Sequence, residues 1–299
     1  MMRIFASGWS FDKDGPGQRL VFYLKGCNMR CGWCANPEGI SPEREMLFYP
    51  ERCSGNIDYV CSKGAVDGKI LNREICKECS ARDCVKIWHH KCFESAGEEI
   101  SPEKILTMAE AARDMFGRHG GITFGGGEPT LQSADLLKTM RMLRDSGIST
   151  AVESNASTEA FALVAQAADY LICDLKAFSD KIHSGMTGVS SRLVLENLIH
   201  AGKTKEALLI RIPVVTGLND GQAEITLIVD FLTELHQRRV AKLKMPLRVE
   251  LLRMHHLSRT KYAGLGIHYP MDKVKLPDQS VIAGYRQQLS AAGIKIIST

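Results

Sequence analysis

The chain has 299 residues, 44% hydrophobic and 24% charged, an ordinary globular balance with length enough for one large domain or two. A formal charge of +4 without a basic tract or interleaved aromatics gives no reason to expect nucleic acid. No apolar run approaches a membrane span, and Met1-Met2-Arg3-Ile4-Phe5-Ala6-Ser7-Gly8-Trp9 lacks the apolar core of a signal peptide, so a cytoplasmic protein is expected.

The first element read from the sequence is a buried strand, Leu20-Val21-Phe22-Tyr23-Leu24. Directly after it comes Cys27-Asn28-Met29-Arg30-Cys31-Gly32-Trp33-Cys34, a C-x3-C-x2-C spacing. Four thiolates saturate a [4Fe–4S] cube, whereas three leave one iron open to another ligand. Zinc sites more often pair their cysteines as two short hooks with a fourth ligand, and no His or Cys follows Cys34 until Cys53. Nine of the ten cysteines fall between Cys27 and Cys92, and only Cys173 lies outside. In a reducing compartment such a concentration reads as metal ligands rather than a disulfide framework.

Three parts are expected: residues 1–48, with the strand and the cysteine loop; 49–99, cysteine-rich and poor in long apolar patterns; and 100–299, where helix and strand alternate. Ser101-Pro102-Glu103-Lys104 has the N-cap, first-turn proline and early acid of a helix start, predicting a helix to about Phe116. Strands follow at Ile122–Phe124, Ser149–Glu153, Tyr170–Asp174, Leu208–Val215, Arg248–Leu252 and Lys295–Ile297. Helices are predicted at Ser133–Asp145, Thr158–Ala167, Arg192–Ala201, Glu224–Arg238 and Ser280–Ala291. Repeated βα units imply parallel strands under helices, so the expected fold class is α/β, a partial (β/α)6 TIM-like barrel. In such barrels chemistry sits where strands end and loops begin. Those ends carry Gly125-Gly126-Gly127-Glu128-Pro129, Glu153-Ser154-Asn155, Asp174-Leu175-Lys176 and His255-His256, with Arg211 inside its strand.

The cysteine motif together with Gly125–Pro129 resembles the radical S-adenosylmethionine superfamily. Asp14-Gly15-Pro16-Gly17 with Arg19, Asn36-Pro37-Glu38, Asp174-Leu175-Lys176 and the segment Leu251 to Tyr262 look like the glycyl-radical-enzyme activating enzymes, and the likeness covers nearly the whole chain. The resemblance implies that Cys27, Cys31 and Cys34 ligate a [4Fe–4S] cluster whose open iron binds S-adenosylmethionine. One-electron reduction then cleaves a carbon–sulfur bond of the sulfonium. The resulting 5′-deoxyadenosyl radical removes an α-hydrogen from a glycine of a partner enzyme. By the same resemblance Trp33 faces the adenine, and Gly126, Gly127 and Glu128 engage the methionine amino group. Lys176 and His255 serve the carboxylate, Asp174 and Arg211 the ribose and sulfonium region, and Asp14 to Gly17 meets the partner's glycine loop. Two departures stand out: Gly125 replaces the family's serine, and Arg253-Met254-His255-His256 replaces a Pro-aromatic-His pattern.

Larger family members insert a ferredoxin-like module with two cysteine runs at 49–99. Here the module looks degraded. By the resemblance, Cys61, Cys76, Cys79 and Cys84 complete one auxiliary [4Fe–4S] cluster. The second site lacks its ligands near Asn56 and Trp88, and Cys53 and Cys92 are left over. Two clusters recruiting Cys92, His89 or His90, a zinc site, and no metal remain alternatives. The expected partners are a glycyl radical enzyme and a flavodoxin or ferredoxin donor, and the chain is expected to be a monomer. A radical enzyme acting on a small molecule or peptide is the second reading. A pure iron–sulfur electron-transfer protein is the third, and it has no need of the strand-end polar set.

Overall fold

A computed structural model describes residues 1–53, 61–86 and 92–298. In chain order its strands are β1 (Met2–Phe11), β2 (Gln18–Leu24), β3 (Glu45–Phe48), β4 (Val66–Asp67), β5 (Ile70–Leu71), β6 (Phe93–Ala96), β7 (Glu98–Ile100), β8 (Gly121–Gly126), β9 (Thr150–Ser154), β10 (Tyr170–Asp174), β11 (Leu208–Val214), β12 (Arg248–Arg253) and β13 (Lys295–Ile297). The helices are α1 (Arg73–Lys77), α2 (Pro102–Ala111), α3 (Arg113–Phe116), α4 (Ser133–Asp145), α5 (Phe161–Ala167), α6 (Asp180–Thr187), α7 (Ser191–Thr204), α8 (Gln222–Leu243), α9 (Arg259–Leu265) and α10 (Gln279–Ala291). No helix among the described residues is long and apolar enough to cross a membrane.

Nine strands make one sheet in the order β13-β12-β11-β10-β9-β8-β2-β1-β7. From β2 to β13 every neighbouring pair is parallel, and β1 and β7 add antiparallel pairs at one edge. This is the expected α/β class with a largely parallel sheet. The central strands read as near-continuous apolar runs because both faces are covered. Phe22, Ile122, Phe124, Val152, Leu171, Ile210 and Val249 are fully or almost fully buried. The apolar stripes of α4, α5, α7, α8 and α10 pack on the outer face, with Leu136, Val164, Leu198, Leu232 and Leu289 in one core.

Several elements differ from the sequence expectation, among them all the short strands and the helix between Glu45 and Ile100. The helix from 101 is interrupted at Ala112, whose N–H is shared among the carbonyls of Met108, Ala109 and Glu110; this tightened turn ends α2 before α3 begins. Strand β1 was not anticipated. A register shift between Ile4 and Ala6 breaks its period-two alternation. The one-turn-to-two-turn helices α6 and α9 were also not anticipated, being too short to show a periodicity.

The described residues between Glu45 and Ala96 form their own small unit. Strands β3 and β6 pair antiparallel from Glu45↔Ala96 to Phe48↔Phe93, and the two Phe rings stack at 4.9 Å. Above that ladder Met46, Phe48, Ala65, Val66, Cys76, Cys92 and Phe93 share an apolar cluster separate from the main core.

Candidate active site

The loop after β2 carries Cys27, Cys31 and Cys34 over the carboxyl ends of the parallel strands. A dense backbone seam fixes its start. Gly26 N–H donates to Gly39 O at 2.8 Å, Cys27 N–H to Ile40 O at 2.9 Å, Gly127 N–H to Leu24 O at 2.8 Å and Glu128 N–H to Gly26 O at 2.8 Å. The glycines are demanded by this proximity. A Cβ on Gly127 would lie 2.1 Å from Gly26 O, and one on Gly126, at φ +109, would lie 2.6 Å from Leu24 N. With the Gly127 and Glu128 amides engaged, the turn is left with carbonyl oxygens to offer, which suits a ligand that donates hydrogen bonds.

Below the loop lies a cavity of about 370 Å³, within the range of small-molecule sites. Ten of the eleven residues that the sequence nominated here line it: Cys27, Cys31, Cys34, Trp33, Gly126, Gly127, Asp174, Lys176, Arg211 and His255. Glu128 is the exception and corrects the expectation for its side chain. It is fully buried away from the cavity. Its Oε1 accepts from Thr130 N–H at 3.1 Å, Thr130 Oγ1 at 2.6 Å and Ser154 Oγ at 2.8 Å, and its Oε2 accepts from Asn155 N–H at 2.7 Å. Burial pushes its carboxyl up against the pull of those donors. Glu128 thus braces the end of β9 instead of reaching a ligand.

What it braces is Asn155, which the sequence named without a role. Asn155 Nδ2 donates to Asn28 Oδ1 at 3.0 Å and approaches Cys27 Sγ at 3.8 Å, tying the β9 end to the cysteine loop. Met29, Ala35, Ile172, Pro213 and Leu252 also line the cavity and were not singled out, because apolar wall residues leave no distinctive spacing; Asn36, named in the sequence without a role, lines it as well.

The three thiols meet the chemistry expected of cluster ligands. Burial raises Cys27 to about 11 and Cys34 to about 12, and it raises Cys31 as well. Their mutual repulsion adds to the effect, and Lys176 opposes it. Left to themselves they hold their protons; an iron–sulfur cube would displace them, as metal binding to thiols does. Lys176 stands 2.5 Å from Asp174. Burial pulls the Lys176 ammonium down, but the Asp174 carboxylate beside it, joined by whatever charge Cys31 and Cys27 carry as thiolates, raises its pKa on balance. The cavity therefore keeps a permanent cation beside the cysteine loop.

The floor is a charge network around Arg211. Its Nε donates to Glu250 Oε2 at 2.7 Å, its Nη1 to Glu153 Oε1 at 2.5 Å, and its Nη2 to Lys13 O, with Asp14 Oδ1 at 3.9 Å. Burial, despite Arg211 and with help from Asp14, raises Glu153 to about 8. The 12–17 turn folds inward to meet this floor, where Thr123 Oγ1 donates to Asp14 O at 2.6 Å. Arg19, wholly buried, holds the turn to β8 through Thr123 Oγ1 and Ile122 O, both at 2.7 Å, and through Pro16 O at 3.3 Å.

In the small unit, burial raises Cys76 and lifts Cys84 to about 11, and the neighbouring thiols Cys61 and Cys79 lie close enough to add to both shifts. Arg82 Nη1 donates to Cys76 Sγ at 3.3 Å. Cys92 pairs instead with Cys53, and burial followed by that contact raises it to about 12. Among the described residues no three His, Cys, Asp or Glu side chains are drawn as close as a bound ion would hold them. Asn56, Trp88, His89 and His90 lie outside the described residues.

Comparison with known proteins adds the decisive observation: a model of the Radical SAM superfamily matches residues 21–228, more than half of the chain. The chain belongs to the radical SAM superfamily. Among curated relatives, the isethionate sulfite-lyase activating enzyme of Oleidesulfovibrio alaskensis is 32% identical, covering 90% of this chain and 89% of its own. The (2S)-3-sulfopropanediol dehydratase activating enzyme of Klebsiella oxytoca is 31% identical over 89% of this chain and 86% of its own. Among solved structures, a radical SAM methyltransferase from Sphaerobacter thermophilus superposes with a TM-score of 0.54 at 14% identity, over 98% of this chain and 68% of its own, a likeness of fold alone. As a radical SAM enzyme the chain is set apart from the pure electron-transfer reading, which had no use for the cavity.

Proposed function

We propose that this radical SAM enzyme activates a partner protein by abstracting an α-hydrogen from one of its glycines. The reading is carried by one observation: the three-cysteine loop, the glycine seam and the Asp174–Lys176 pair converge on a single cavity, and the 12–17 turn is bonded to its Arg211 floor from beneath. Relatives that are activating enzymes across nearly their full length support it.

In this reading Cys27, Cys31 and Cys34 hold a [4Fe–4S] cluster. When bound, the cluster and S-adenosylmethionine supply a 5′-deoxyadenosyl radical by one-electron cleavage of the sulfonium's carbon–sulfur bond. Carbonyls of the Gly126–Gly127 turn accept from the methionine amino group. Lys176 attracts its carboxylate, with His255 at the rim, and Trp33 lies against the adenine. Asp174 and Arg211 border the ribose and sulfonium. The turn Asp14–Gly17, bonded to the Arg211 floor, is the part of the chain that meets the glycine-bearing segment of the partner. A glycine suits this step because its α-radical is stabilised by flanking amides and has no side chain to exclude it.

In the same reading Cys61, Cys76, Cys79 and Cys84 would hold an auxiliary [4Fe–4S] cluster, which would supply one-electron transfer from a flavodoxin or ferredoxin, and Arg82 and Arg73 would offset the negative charge of four thiolates. The parts 1–48 and 100–299 form the barrel and 49–99 the iron–sulfur insert of a monomeric cytoplasmic enzyme working without oxygen. The test is an anaerobic assay with strong reductant. The expected result is 5′-deoxyadenosine formation and, on adding a partner encoded nearby, a glycyl doublet in electron paramagnetic resonance. Turnover of a small molecule or free peptide without that doublet would transfer the reading to the second class.

A further inference from the structure

The helix α9 lies between the small unit and the cysteine loop, and it is bonded to both. On one side Arg73, the first residue of α1, donates from Nη1 to Met46 O at 3.0 Å and from Nη2 to Gly264 O at 2.7 Å. Two glycines make room for this contact. A Cβ on Gly264 would lie 2.7 Å from the Tyr49 ring, and one on Gly266, at φ +69, would lie 2.4 Å from Arg73 Nε. Leu265 packs with Leu47, Tyr49 and Ala96 of the β3–β6 ladder. On the other side Lys261 Nζ donates to Asn36 Oδ1 at 2.7 Å and meets Glu38 Oε1 at 2.6 Å. Tyr262 Oη reaches Gly32 O at 3.5 Å. Asn36 follows Cys34 by two residues and lines the cavity, and Glu38 is buried, its carboxylate meeting Lys261 and its carbonyl accepting from Lys25 Nζ at 2.6 Å.

We propose that Arg73 is a positioning residue for the cysteine loop, acting through α9. The guanidinium clamps the carboxyl end of α9 to the β3 backbone. That clamp fixes where Lys261 and Tyr262 stand, and they fix the stretch from Gly32 to Glu38. Arg73 touches neither the cavity nor any Cys27–Cys34 atom. Cys76 lies three residues further along the same helix, near enough for its charge to act on the guanidinium. The inference rests on Cys27, Cys31 and Cys34 being the cluster ligands, but not on the insert holding metal.

The test is amide hydrogen exchange on the reconstituted holoenzyme, with S-adenosylmethionine cleavage kinetics alongside. In Arg73→Ala, exchange should quicken about tenfold or more both at residues 256–266 and, remotely, at 30–40. The KM for S-adenosylmethionine should rise several-fold with a smaller change in kcat. Lys261→Met should quicken 30–40 without disturbing 61–84, and the double variant should exceed neither single variant at 30–40, because both cut one chain of contacts. If Arg73→Ala fails to fold, Arg73→Lys, which keeps the charge but loses the two-pronged donor, should show the same two segments quickened to a lesser degree. Acceleration confined to 45–84 and 264–266 with KM unchanged, or multiplied effects in the double variant, would overturn the proposal. Absence of cleavage by the unmodified holoenzyme would instead overturn the functional reading on which the kinetic arm rests.

Discussion

At the scale of single residues, Gly127 shows how hard a backbone contact can press on one position. Its neighbours are carbonyl oxygens of Gly26 and Gly39 held in paired hydrogen bonds, not flexible side-chain tips. Gly127→Ala is expected to lower stability by about 1–3 kcal/mol, read as a fall in melting temperature of the anaerobic apoprotein. Glu153 offers a second case. Its carboxyl, about 8 in the fold against an ordinary value near 4.5, binds a proton in the folded chain where the unfolded chain has released it. The stability it contributes is complete below about 4.5 and is lost as pH rises towards 8. Glu153→Gln, which cannot titrate, should flatten the dependence of unfolding free energy on pH across that interval in denaturant melts of the apoprotein. The residues themselves were largely visible beforehand. Cysteine spacing and strand-end polar groups follow from covalent sequence and the period of a βα unit. The direction of a side chain does not: nothing in Gly-Gly-Glu-Pro says that Glu128 turns inward to Thr130, Ser154 and Asn155.

At the scale of elements, long periodic segments were legible and short ones were not. Helix α4 and strands β10 and β13 fall where their patterns put them, because each has an apolar face or run that only one structure buries. Helix α9 has seven residues and owes its existence to partners on both sides, Arg73 and Tyr49 on one and Asn36 and Glu38 on the other. No local propensity encodes that. The β3–β6 ladder depends on the same kind of distant pairing, and its anchor is the stacked Phe48–Phe93 pair. Phe93→Ala should remove about 3 kcal/mol of packing. Limited proteolysis should then cut more readily between 49 and 92 while fragments from the parallel sheet persist.

For the whole molecule, two groups of thiols in one chain make an accounting test possible. With both groups loaded as proposed, anaerobic reconstitution should give roughly eight irons per chain. Cys76→Ala with Cys79→Ala should bring this to roughly four while leaving the spectral response to S-adenosylmethionine at the remaining cluster. Four irons in the unaltered protein would remove the auxiliary cluster from the proposal, and zinc in the insert would replace it.

Among the described residues the nine-stranded sheet is open in its pairing order, and each of its two margins is a strand of only three residues, Glu98–Ile100 on one flank and Lys295–Ile297 on the other. A stranger seeking to extend the ladder finds too few free amides to grip, and meets Glu98 and Glu99 or Lys295 as it tries. Margins this short and this charged are expected to disfavour growth, edge to edge, into fibrils.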